Sequence, residues 1–143
     1  MRATISWVLR AGLAALFLYA GVAKLADVQA FAADIANYRL VPAALIGVLA
    51  AALPGVEIAC ALALLVPRTA RAGALLAAGL LVVFTVGAIQ ALARDINLDC
   101  GCFGSVRAPV TMRTIVRDVA FLASAVAVIV LVPGSTNENG PSS

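Results

Sequence analysis

The residues best suited to chemistry are Cys100 and Cys102, one glycine apart in the run Asp99-Cys100-Gly101-Cys102-Phe103-Gly104. Two cysteines at this spacing can close a small disulfide ring, and Gly101 tolerates backbone angles that a Cβ would penalise. Such a ring departs from relaxed disulfide geometry, and strain makes a disulfide easier to reduce. The pair is therefore better suited to passing electrons than to stapling a fold. Two other readings stand beside it. One is a pair of unpaired thiols in a turn; the other is two thiolate ligands for Cu(I) or zinc, a shell left unfilled unless chains associate. The third cysteine, Cys60, sits in an apolar stretch and reads as a small hydrophobe.

Histidine is absent, which removes the usual general base and the common metal ligand. Three cysteines are too few to ligate an iron–sulfur cluster alone. Ionisable side chains inside apolar stretches are costly and are usually paired or functional. Glu57 is the clearest of these. Counting helical rise, Glu57 lies roughly 13 Å from the end of its segment and Arg10 roughly 8 Å inside the start of the first, which predicts an Arg10–Glu57 ion pair. The same count puts Lys24 level with the Cys100–Cys102 loop, and Arg113 and Arg117 enter the last segment from that level. A cation near a thiol favours the nucleophilic thiolate. These three are thus candidate activators of Cys100 or Cys102, or else interfacial anchors to lipid phosphates.

The elements that must position these groups follow from composition. Of 143 residues, 64 % are apolar and 12 % charged, and the mean hydropathy is +1.08. A soluble domain carries about twice that charge fraction, so lipid must cover most of this surface. No charge run or aromatic–basic stripe suggests nucleic acid. Four apolar segments, at about 5–26, 41–66, 72–93 and 110–132, are each long enough to cross the hydrocarbon core. The first also fits a signal peptide, although Arg10 and Lys24 at its two ends suit a retained helix better. Between the first two spans, Val28, Phe31, Ile35 and Tyr38 recur at helical spacing, as in a short helix lying in the interface. Pro54 falls inside span two and should kink it, and Gly47, Ala51 and Gly55 form a small-residue stripe for close helix approach. The expected architecture is an all-α membrane protein: one four-transmembrane-helix bundle over 1–133, with a disordered polar tail over 134–143.

Four spans put both termini and the Arg68–Arg71 turn on one face, and the 27–40 linker and the Cys100–Cys102 loop on the other. Arg2, Arg10, Arg68 and Arg71 fall on the first face and Lys24, Arg39, Arg94, Arg107, Arg113 and Arg117 on the second. The raw count favours a cytoplasmic second face, but Lys24, Arg113 and Arg117 double as candidate site residues, so charge bias leaves the orientation open.

With these residues on the page, the chain resembles the MauE family, relatives of DoxX-type membrane proteins. The resemblance rests on Asp99-Cys100-Gly101-Cys102-Phe103-Gly104 between the third and fourth spans. Arg10, Gly12 and Phe17 match too, as do Ala20-Gly21, Lys24-Leu25, Phe31, Tyr38, Leu40, Pro42, Leu53-Pro54, Glu57 and Arg117. It covers about 7–131, nearly the whole chain. The resemblance implies a four-helix, redox-associated membrane protein that handles disulfides outside the cytoplasm; the founding member is implicated in maturing the disulfide-rich β-subunit of methylamine dehydrogenase. It implies termini in the cytoplasm, the Cys100–Cys102 loop outside, and a thioredoxin-like partner with an exported client. By analogy with other small four-helix disulfide oxidases, a membrane quinone would accept the electrons, although no residue marks a quinone site. The alternatives are a non-enzymatic scaffold or transport subunit for maturation, and a DoxX-like subunit of a quinone-linked oxidoreductase.

Overall fold

The computed structural model describes residues 1–94 and 110–133. It contains five helices: α1 (Arg2–Ala26), α2 (Val28–Tyr38), α3 (Ala43–Leu65), α4 (Ala70–Ala93) and α5 (Met112–Leu131). Four of them, α1, α3, α4 and α5, are long and apolar enough to cross a membrane. At 1.5 Å per residue the shortest, α5, spans roughly 30 Å, the thickness of the hydrocarbon core. The 27–40 stretch is the expected short helix. Asp27 caps its start, accepting a 2.9 Å hydrogen bond from the Ala30 N–H, and Arg39 closes its end in the left-handed conformation.

The four spans form a closed ring in the order α1, α3, α4, α5, with α2 laid chiefly against α3. The core within the ring is small-residue-rich, with Ala14, Ala61, Ala74, Ala77 and Ala125 interleaved with Leu13, Phe17, Leu64, Leu81 and Val128. Large apolar side chains point outward instead: Val8, Val48, Val83 and Val130 are all more than 60 % exposed. That inversion is stable only with lipid as the solvent, where tail contacts cost nothing and close backbone approach drives association.

Two glycines set the closest approaches. A Cβ on Gly73 would lie 2.8 Å from the Leu64 nitrogen, and one on Gly21 would lie 2.9 Å from the Pro54 carbonyl oxygen. The Gly47–Ala51–Gly55 stripe, by contrast, is exposed on the outer side of α3, and Gly47 and Gly55 have nothing within 4 Å of a Cβ position. The stripe, whose spacing suits close approach of a helix from the same or another chain, therefore does not pack inside this bundle. The sites of contact are chosen by which face of α3 carries Pro54, Glu57 and Cys60, all buried. Pro54 stays within one helix assignment from Ala43 to Leu65.

These contacts predict opposite effects of two identical substitutions. Gly73→Ala should destabilise the bundle by about 1–3 kcal/mol, since the new methyl meets backbone that cannot step aside. Gly55→Ala should be neutral or stabilise by up to about 1 kcal/mol through helix propensity. Unfolding of each variant in mixed micelles distinguishes the two.

Candidate functional site

α1 and α3 run antiparallel, and two cations on α1 read out their register. Near the start of α1, Arg10 donates to the carbonyls of Leu64 (Nε, 2.7 Å) and Leu65 (Nη2, 3.1 Å). Those are the last two residues of α3, whose carbonyls have no helical partner, so the guanidinium closes a helix C-terminus inside the membrane. Its Cζ also sits 4.5 Å from the centre of the Trp7 ring.

Near the end of α1, Lys24 Nζ meets Glu57 Oε1 at 2.5 Å, with the two side chains 1 % and 0 % exposed. The expected Arg10–Glu57 pair is thus replaced by Lys24–Glu57. The reason is the lean of helical side chains toward their own N-terminus. In antiparallel helices Glu57 leans toward the end of α1 and Lys24 leans back to meet it, whereas Arg10 leans away. Counting rise alone omits this reach. Lys24 is accordingly drawn into the bundle; its expected level with Cys100 and Cys102 falls outside the described residues.

Aromatic rings close the pair off. The Lys24 ammonium lies 5.2 Å from the centre of the Phe31 ring on α2 and 4.9 Å from that of Phe84 on α4. Both rings offer a negative π-face to the cation without supplying a proton acceptor. Lys24, Phe31 and Phe84 also line a cleft of about 200 Å³ between α2, α3 and α4, with Tyr38, Leu49 and Leu53 among its other walls. Apart from Lys24, Asp34 and Tyr38, that lining is apolar.

A second ion pair stands on α5. Arg117 donates to Asp118 Oδ1 through Nε at 3.1 Å and Nη2 at 2.8 Å. Asp118 is buried, while Arg117 is about one-third exposed. Arg113, one turn earlier, is exposed, so the two arginines do not converge on one point. Asp118 was legible as an acid within a span next to an arginine. The roles of Phe31 and Phe84 were not, because an aromatic in an apolar helix carries no signal of what it faces.

Cys60 is fully buried in the core and donates to the Gly73 carbonyl at 3.3 Å, in keeping with a packed small side chain. Cys100 and Cys102 lie outside the described residues. The flanks of their segment are described: Ala88 and Ala91 at the end of α4 cluster with Val110, Ile115 and Tyr38. The chain therefore leaves α4 and re-enters at α5 at the end of the bundle where Tyr38 lines the cleft. Among the described residues no group of three His, Cys, Asp or Glu is placed to hold a metal ion.

A family model described as "Methylamine utilisation protein MauE" matches residues 2–131. Among individual proteins, the methylamine utilization protein MauE of Paracoccus denitrificans is 36 % identical over 133 residues, covering 92 % of this chain and 72 % of its own length. The protein of the same name from Paracoccus versutus is 35 % identical with the same coverage. That from Methylophilus methylotrophus is 37 % identical over 97 residues, covering 67 % of this chain and 50 % of its own length. No solved structure matches the chain.

The buried pair makes a sharp prediction. Lys24→Met strands a carboxylate in the bundle and should cost about 3–5 kcal/mol, whereas Lys24→Met with Glu57→Leu should recover most of that loss. Unfolding in mixed micelles, with Glu57→Leu alone as the fourth corner, closes the double-mutant cycle. A double variant whose loss equals the sum of the two single losses would mean that the two residues act independently.

Proposed function

The chain belongs to the MauE family, and from that premise we propose that it is a membrane component of thiol–disulfide exchange, acting through Cys100 and Cys102 on exported proteins. The relatives' names connect this work to methylamine utilisation, and the client in that setting would be an exported, disulfide-bearing protein of the pathway. The Cys100–Cys102 loop faces outward in this reading and the termini face the cytoplasm, with a thioredoxin-like protein as the exchange partner.

The chemistry balances as follows. A thiolate of the partner attacks one sulfur of the Cys100–Cys102 disulfide, which releases the other as a thiolate and forms a mixed disulfide. A second partner thiol, as its thiolate, resolves that bond, and two electrons have moved from the partner to the Cys100–Cys102 pair. Restoring the disulfide needs a two-electron acceptor, and a lipid-soluble quinone, which takes up two electrons and two protons, is the class that a membrane supplies.

The observation that carries the reading is the apolar cleft beside the Lys24–Glu57 pair. It opens at the end of the bundle where the segment holding Cys100 and Cys102 is anchored by Val110 and the end of α4. Its apolar walls suit a ring from the lipid phase, and the Lys24 ammonium at its inner end is a hydrogen-bond donor for a carbonyl oxygen. Arg113, exposed at the start of α5, supplies positive charge where the chain re-enters the bundle, which would favour thiolate over thiol. The charge of Arg117 is largely met by Asp118.

Labelling intact cells with a membrane-impermeant thiol reagent, in a Cys60→Ala background, tests the proposal. The expected result is labelling of Cys100 and Cys102 only after mild reduction. Labelling only after permeabilisation, with no reductant needed, would overturn it. So would full function of a Cys100→Ser, Cys102→Ser variant that accumulates normally, which would make the protein a scaffold.

A further inference from the structure

Between α1, α3, α4 and α5 lies a second, smaller cavity of about 30 Å³, lined by Glu57, Asp118, Arg117, Phe17, Phe84 and Phe121 among others. Its position separates it from the lipid-facing cleft: Phe84 lines both, Lys24 lines only the cleft, and Glu57 lines only the cavity. The Lys24–Glu57 pair thus forms part of the partition, with one partner on each side.

Each carboxylate in this cavity is half satisfied. Glu57 Oε1 takes the Lys24 ammonium and Asp118 Oδ1 takes the Arg117 guanidinium. Glu57 Oε2 and Asp118 Oδ2 are both buried and receive no hydrogen bond from any described residue. The residues themselves are 0 % and 4 % exposed. Ionised carboxylates only accept hydrogen bonds, so two of them lining one small space need a donor placed between them. Leaving such buried acceptors unmatched is costly. Arg117 directs its Nε and Nη2 to Asp118 Oδ1, and the remaining lining is aromatic and aliphatic.

We propose that this cavity binds a single water molecule that donates one hydrogen to Glu57 Oε2 and the other to Asp118 Oδ2. The cavity is large enough to hold a water, and polar partners on two sides are what distinguish a wet cavity from a dry one. Charge selects water over a cation. Lys24, Arg117, Glu57 and Asp118 already sum to zero, and an added cation would leave one net charge buried in the membrane. The water joins two ion pairs into one hydrogen-bonded chain, Lys24–Glu57–water–Asp118–Arg117, that crosses from α1 through α3 to α5. The water site stands on these contacts alone and holds whether or not Cys100 and Cys102 exchange disulfides.

A crystal structure of the full chain grown from a lipid phase tests this directly, with Ala20→Val as the companion variant because Ala20 lines the same cavity. The expected result is a density peak within hydrogen-bonding distance of both carboxylate oxygens in the wild-type protein. Ala20→Val should lose the peak and melt several degrees lower, because filling the cavity removes the donor that both acids share. A wild-type cavity without a peak overturns the proposal, as does direct contact between the two carboxyl groups. A peak that acquires anomalous signal when sodium is exchanged for rubidium overturns it in favour of a cation. A rise in the melting temperature of Ala20→Val would identify a dry cavity and overturn it as well. The wild-type density decides the matter even if the variant fails to fold.

Discussion

A lysine and a glutamate buried among apolar helices are each expensive for a membrane protein to carry, and their mutual contact is what makes them tolerable. In this chain that contact, Lys24 to Glu57, joins α1 to α3 across the largest helix interface of the bundle. It fixes the register of the two helices from one end, while Arg10 on the last carbonyls of α3 fixes it from the other. Between these two points Gly21 admits the Pro54 turn of α3 at backbone distance. An apolar seam alone could slide, because one leucine resembles the next; a buried charge pair has one satisfactory alignment.

The same pair organises what surrounds it. Phe31 brings α2 against the ammonium, and Phe84 does so from α4, so the short helix is held at one end of the bundle and not left free in the interface. The cleft on one side and the small cavity on the other are consequences of this arrangement, since aromatic rings stacked about a cation leave gaps that aliphatic side chains would fill. Apart from Arg10 at the end of α3, the buried charged side chains among the described residues form one band across α1, α3 and α5. The clustered core is alanine and leucine with Phe17, Cys60 and Val128.

The sequence carries Cys100 and Cys102 between α4 and α5, and the cleft beside Lys24 includes Tyr38, which packs with the end of α4 and the start of α5.

Much of this was legible in the order of residues. Span number, the short helix, the packed character of Cys60 and the prominence of Glu57, Lys24 and Arg117 all follow from hydropathy, periodicity and the cost of charge in lipid. The chemistry proposed for Cys100 and Cys102 is read from their spacing and the family resemblance. Tertiary structure decided the partners. Rise per residue places a Cα along the membrane normal, but the direction in which a side chain leans moves its charge by most of a helical turn, and this chose Lys24 over Arg10 for Glu57. It also decided that Gly21 and Gly73 make the close approaches while the regular Gly47–Ala51–Gly55 stripe faces outward. Spacing identifies a face of a helix, but only the packing of the other helices determines whether that face meets protein or lipid.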